Sequence, residues 1–217
     1  MKLLLDLTKE YGLVLDGGGA RGAYQIGAWK ALREAGVHIN AVAGTSVGAL
    51  NGALICMGDL EKAEKIWSEM TFSRVMDVDD AWMERLFQGE QRLADILPEI
   101  RRILAEGGVD VTPLRRLIHE TVDEKKIRES GIEFCMTTFS LSEFRKLELS
   151  ISDIPEGRLE DFLLASAYLI GFRNEKLEGR RYLDGGLADN VPVAPLVERG
   201  YKDIIEIRIY GPGREPR

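Results

Sequence analysis

The chain has 217 residues, of which 45% are hydrophobic and 30% charged. That composition fits a globular protein with a full core and excludes a disordered chain. Lys and Arg number 29 against 36 Asp and Glu, a net charge of −7, which argues against a nucleic-acid partner because phosphate binding needs a basic excess. Cys56 and Cys135 lie in apolar stretches with no spacing motif, so neither a disulfide framework nor a zinc site is expected. No metal or other cofactor is expected.

The N-terminal sequence MKLLLDLTKE puts Asp6 four residues after Lys2, leaving too little apolar length for a signal peptide. The 24 residues 35–58 carry no Asp, Glu, Lys or Arg, long enough to cross a bilayer. They also contain His38, Asn40, Asn51 and five glycines, so they read as strand, turn and helix within a core. A cytoplasmic protein is expected, with residues 1–217 as one domain.

Residues 11–58 read as β-turn-α-β-turn-α. Tyr11 to Leu15 is an apolar strand, DGGGARG a turn, and Ala23 to Ala35 a helix stopped by Gly36. Val37 to Ala43 is the second strand, and a small-residue helix runs from near Ser46 to Met57. Such alternation implies a parallel sheet covered by helices. Residues 59–130 are charge-rich and helical, with Pro98 starting or kinking one helix. Trp82, Met83, Leu86 and Phe87 in this zone form a stripe that reads as local core in preference to a lipid-facing lid. Thr112 reads as an N-cap ahead of Pro113, and Leu114, Leu117, Ile118 and Thr121 as a buried stripe. Strand character returns after residue 131, with a hairpin across Ser140 to Glu143. A helix from Asp161 to Leu169, a strand ending at Leu183 and a strand over Asp203 to Tyr210 follow, then a tail, 211–217.

Three turns carry chemistry. In Asp16-Gly17-Gly18-Gly19-Ala20-Arg21-Gly22, adjacent glycines turn several N–H groups into one space at a helix start, a nest for phosphate or an oxyanion. The pattern also contains the dinucleotide fingerprint G-x-G-x-x-G, but the second strand ends without the acid that would hold a ribose. A dinucleotide- or phosphate-binding module is therefore a distant alternative. Gly44-Thr45-Ser46-Val47-Gly48 is G-x-S-x-G between strand and helix, the setting in which the serine is exposed as a nucleophile. Its base is no histidine: His38 lies too far back along its strand, and His119 falls on a charged helix face. Asp184-Gly185-Gly186 places a carboxylate at a strand end, the rim where α/β sheets build sites. Asp189 and Asn190 read as caps of a helix starting near Pro192.

GGGARG, GTSVG and DGG in this order, followed by Asn190 and Pro192, resemble the patatin-like phospholipase family from about Tyr11 to Val193. The resemblance implies a three-layer α/β/α fold with a mostly parallel sheet and a helical insertion at 59–130. It implies Ser46 as nucleophile, Asp184 as base and an oxyanion hole of Gly17, Gly18 and Gly19 with Arg21 beside them. Gly22, Gly44, Gly48, Gly185 and Gly186 support the three motifs. The chain departs from the family in having no proline after Ala165-Ser166-Ala167, and it is short for the family. The expected activity is hydrolysis of phospholipid or other acyl-lipid esters through an acyl-enzyme, with transient contact at a membrane surface. The same dyad would serve a small-ester or thioester hydrolase, or an acyltransferase.

Overall fold

Alternation along the strands sets the architecture. Six strands form one sheet: β1 (Glu10–Leu15), β2 (His38–Thr45), β3 (Glu133–Ser140), β4 (Arg145–Ser150), β5 (Tyr182–Asp184) and β6 (Ile204–Ile207). They come from a computed structural model that describes residues 5–91, 93–177 and 179–210, without the side chains of 93–95. The expected tail, 211–217, lies outside the described residues. The order is β4-β3-β2-β1-β6, with β5 paired to β3. The β1–β2, β1–β6 and β2–β3 pairs are parallel, and β3 is antiparallel to β4 and β5.

Leu13, Leu15, Val42, Phe134 and Met136 point to one face of the sheet and join the main core. Their neighbours Val14, Ala41, Ala43 and Cys135 point to the other and pack on Leu196. Full burial of each large apolar side chain contributes ~1.5–3 kcal/mol.

The helices are α1 (Ala23–Glu34), α2 (Val47–Met57), α3 (Leu60–Ser68), α4 (Asp80–Phe87), α5 (Leu93–Ala105), α6 (Thr112–Thr121), α7 (Glu124–Glu129), α8 (Leu159–Ser166) and α9 (Ala194–Glu198). The chain steps from β1 to β2 to β3 in one direction, so right-handed crossovers put α1 and α2 on the same face. The return to β6 runs the other way and carries α9 to the opposite face, where Leu196 seals the smaller core. The layers are unequal: the third is the short α9 with the segments flanking it.

Several boundaries differ from expectation. The cap ahead of Pro113 is supplied by Asp110, whose carboxylate accepts the Thr112 N–H at 2.7 Å; Thr112 is already the first helical residue. Pro98 sits inside the continuous α5. Helix α8 stops at Ser166, short of Leu169, because the next residues turn back so that the Tyr168 carbonyl accepts the Asp184 N–H. The stripe on α4 is not a core: no residue of that helix is buried, and Phe87, 72% exposed, stacks on Phe72.

Candidate active site

One edge of β3 is shared by two strands in succession. Along it β2 pairs as far as Thr45 opposite Thr137, and β5 takes over with Asp184 opposite Thr138. The other edge is occupied by β4 throughout Cys135 to Ser140. The chain leaves β2 at Ser46 and leaves β5 at Asp184, so both turns open at the same gap in the sheet. That handover brings together residues far apart in the sequence.

Ser46 occupies the gap in a conformation few L-residues adopt, φ 56° and ψ −124°. A sharp turn of this kind lifts the hydroxyl clear of the strand, and its strain costs of order 1–3 kcal/mol. Surrounding contacts hold it. The Ser46 N–H donates to Ser166 Oγ at 2.9 Å, and Ser166 Oγ–H donates to the Thr137 carbonyl at 2.6 Å. A Cβ on Gly48 would collide with the Leu15 carbonyl, and one on Gly44 with the Gly48 backbone. Only glycine at both positions lets α2 start this close to the strands.

Asp184 is 6% exposed. Its Oδ1 accepts the Gly186 N–H at 2.7 Å, while Oδ2 is buried without a hydrogen bond of ordinary length and angle. Burial pushes the carboxyl above its usual range; the Ser46 hydroxyl, and after it the Gly186 N–H, draws it back down. The hydroxyl therefore acts on Asp184 as a close neighbour and not as a locked donor, a common looseness in sites without substrate. Gly185 lies flat against the Thr137 carbonyl.

The glycine loop closes the site from the β1 side. A Cβ on Gly17 would stand 3.2 Å from Ser46 Cβ and 2.7 Å from Asn190 Oδ1. The Gly17 N–H donates to the Asn190 carbonyl at 3.3 Å, and Asn190 Nδ2 returns a bond to the Gly17 carbonyl at 3.3 Å. That amide, expected as an oxyanion donor, is committed to Asn190. Asn190 and Asp189 are not helix caps, since α9 begins at Ala194. Asp189 instead accepts the Thr45 hydroxyl at its carbonyl, 2.9 Å, and Lys146 Nζ at its carboxylate, 3.0 Å. Arg21 does not point into the nest: its guanidinium lies 4.6 Å over the Tyr210 ring. Gly22 packs against Val47 and Trp67. The histidines stay away, His119 being 76% exposed and paired with Glu160.

Ser46 and Gly19 line a cavity of about 360 Å³ whose walls also include Leu54, Ile66, Leu117 and Phe172. Its walls are mostly apolar, with Asp80 and Glu84 of α4 among the lining residues. A strained serine, a buried carboxylate and a glycine turn beside an apolar cavity suit attack on an acyl carbonyl whose chain is apolar.

A sequence model described as patatin-like phospholipase matches residues 13–197. The chain belongs to the patatin-like phospholipase family. It is 30% identical over 202 residues to neuropathy target esterase sws of Drosophila melanogaster, covering 91% of this chain and 13% of that protein. The Drosophila persimilis protein of the same name is 31% identical over 185 residues, covering 83% and 11%. The chain thus spans a small fraction of these relatives. VipD from Legionella pneumophila shares the patatin-like fold, with a TM-score of 0.58, 15% identity and coverage of 90% of this chain and 49% of that one. Among the described residues, no helix of this patatin-like chain is long and apolar enough to cross a membrane.

Sequence reasoning passed over a buried polar chain behind the loop. Gln25 Nε2 donates to the Asp16 carbonyl at 2.8 Å and to its Oδ1 at 3.2 Å. Asn51 Nδ2 donates to Gln25 Oε1 at 2.8 Å, and Trp67 Nε1 to Asn51 Oδ1 at 2.8 Å. The signal was present: Gln25 and Asn51 are lone amides on apolar helix faces, and buried polar groups require partners.

Proposed function

We propose that this patatin-like protein is a serine acyl hydrolase of lipids, with Ser46 as nucleophile and Asp184 as its base. The reading rests on one observation: a serine in a strained turn, beside a carboxylate that burial has made more basic, opens onto an apolar cavity. Ionised Asp184 takes the Ser46 proton as the oxygen attacks the ester carbonyl. Negative charge gathers on the carbonyl oxygen, where the Gly18 and Gly19 amides receive it; one such donor contributes ~3–4 kcal/mol. The tetrahedral intermediate collapses, the alcohol leaves with the proton, and the acyl group stays on Ser46. Water, deprotonated by the same carboxylate, then releases the acid. The cavity holds the acyl chain during both halves.

Exposed apolar residues near the cavity support contact with a lipid surface. Phe87, Leu169 and Ile170 are exposed; Leu169 lines the cavity and Phe87 stacks on Phe72, which also lines it. Asp80 and Glu84 beside them favour zwitterionic or uncharged lipid over anionic. The test is fluorophosphonate labelling of the wild type and of Ser46→Ala, followed by turnover of esters of increasing chain length and of phosphatidylcholine vesicles. Labelling and turnover that both vanish in Ser46→Ala are expected. Equal labelling of the two proteins would overturn the reading.

A further inference from the structure

We propose that residues 208–210, where the chain leaves β6, act as a strap that positions the glycine loop, with Asp16 as its clasp. The inference rests on the serine-hydrolase reading, in which the loop carries the oxyanion donors. Three contacts converge. The Ile209 N–H donates to both Asp16 carboxylate oxygens at 3.1 Å. The bare face of Gly18 lies against Ile209 and Tyr210, so that a Cβ there would stand 2.5 Å from Ile209 Cδ1 and 2.7 Å from the Tyr210 ring. The Arg21 guanidinium covers that same ring.

Asp16 is 1% exposed. A buried carboxylate is costly unless hydrogen-bonded, and here the Ile209 N–H and Gln25 Nε2 meet that need. Asp16 immediately precedes Gly17, Gly18 and Gly19, a run whose lack of side chains leaves its amides free to rotate. Anchoring the residue before the run, the face of Gly18 and the Arg21 side chain after it removes that freedom. Asp16 is thus a positioning residue: it touches no substrate, yet it sets where the Gly18 and Gly19 amides point. Oxyanion donors act through placement, so slackening the strap lowers kcat and leaves substrate affinity alone.

The test compares Ile209→Pro, which deletes the donated N–H, with Ile209→Val, which keeps it, in the full chain on a short-chain aryl ester. Ile209→Pro is expected to lower kcat ~10- to 100-fold, with KM within ~2-fold, while Ile209→Val recovers most of the rate. If the proline variant does not fold, Asp16→Asn and the pair Tyr210→Phe and Tyr210→Ala carry the test. Asp16→Asn and Tyr210→Ala should lose kcat at unchanged KM, and Tyr210→Phe should retain it. Equal kcat in Ile209→Pro and Ile209→Val overturns the strap, as does a loss that appears wholly in KM. Hydrogen exchange at residues 17–19 separates this idea from the catalytic reading. Faster exchange in Ile209→Pro than in Ile209→Val supports the strap even if the wild type hydrolyses no ester, and equal exchange overturns it.

Discussion

Ser166 holds the backbone of Ser46: its Oγ accepts the Ser46 N–H at 2.9 Å and passes its own proton to the Thr137 carbonyl at 2.6 Å. Ser166→Ala breaks both bonds at a fully buried position. We expect a loss of ~1–3 kcal/mol in stability, the cost of a buried unsatisfied donor, together with a lower kcat. Urea unfolding and ester turnover check both, and wild-type values in the two assays would remove Ser166 from the machinery.

The turn strain at Ser46 is itself measurable. Both Ser46→Ala and Ser46→Gly remove the hydroxyl, but only glycine adopts φ 56° without penalty. Ser46→Gly should therefore exceed Ser46→Ala in stability by about 1 kcal/mol. Denaturant midpoints give the comparison, with matched midpoints as the adverse result.

Asp184 trades stability for basicity. Its pKa is raised by burial, so the folded state holds the proton to a higher pH than the unfolded chain. The buried charge accordingly weakens the fold as pH rises through the folded-state pKa, and carries no penalty below the unfolded value of ~3.9. Asp184→Asn keeps an acceptor for the Gly186 N–H and removes the charge. It should abolish turnover yet raise Tm at neutral pH, with the gain fading in acid. Calorimetry at two pH values tests the sign. Wild-type activity should fall on the acid side with a midpoint above the ordinary carboxylate range.

Val75 lines the cavity and is only partly buried, so it admits a larger side chain with modest damage to the fold. Val75→Trp should shorten the space for an acyl chain. The expected outcome is a ~10-fold or greater loss of kcat/KM for long-chain esters with butyrate esters within ~2-fold, since each methylene in an apolar pocket contributes ~1–3 kcal/mol. A uniform loss across chain lengths would mean the chain lies elsewhere.

Both thiols are buried. Burial pushes Cys135 up to about 12 and raises Cys56 as well, so neither supplies thiolate at neutral pH. Iodoacetamide should leave activity unchanged and modify neither residue in the folded protein, as peptide mass analysis would show.

The three motifs were legible because each is a short-range constraint: glycines where backbones touch, a serine between strand and helix, an acid at a strand end. Strand alternation in β1 to β3 and the hairpin at Ser140 to Glu143 were legible for the same reason. The glycine turn could be recognised as a nest, but not which of its amides were free, because the bond from Gly17 to Asn190 joins positions 173 residues apart. Asn190 looked like a cap since a cap is the local use of that side chain.

The sequence alone determined the chemistry available here: which hydroxyl stands in a sharp strand-to-helix turn, which carboxylate ends a strand, and that neither histidine belongs to these turns. Tertiary structure alone decided their meeting, because it depends on β5 taking the edge of β3 where β2 departs, a pairing that no periodicity encodes. The same holds for Ser166, Asp16 and Ile209. Their side chains or amides matter through partners distant in the chain, and only the folded core brings those partners within hydrogen-bonding distance.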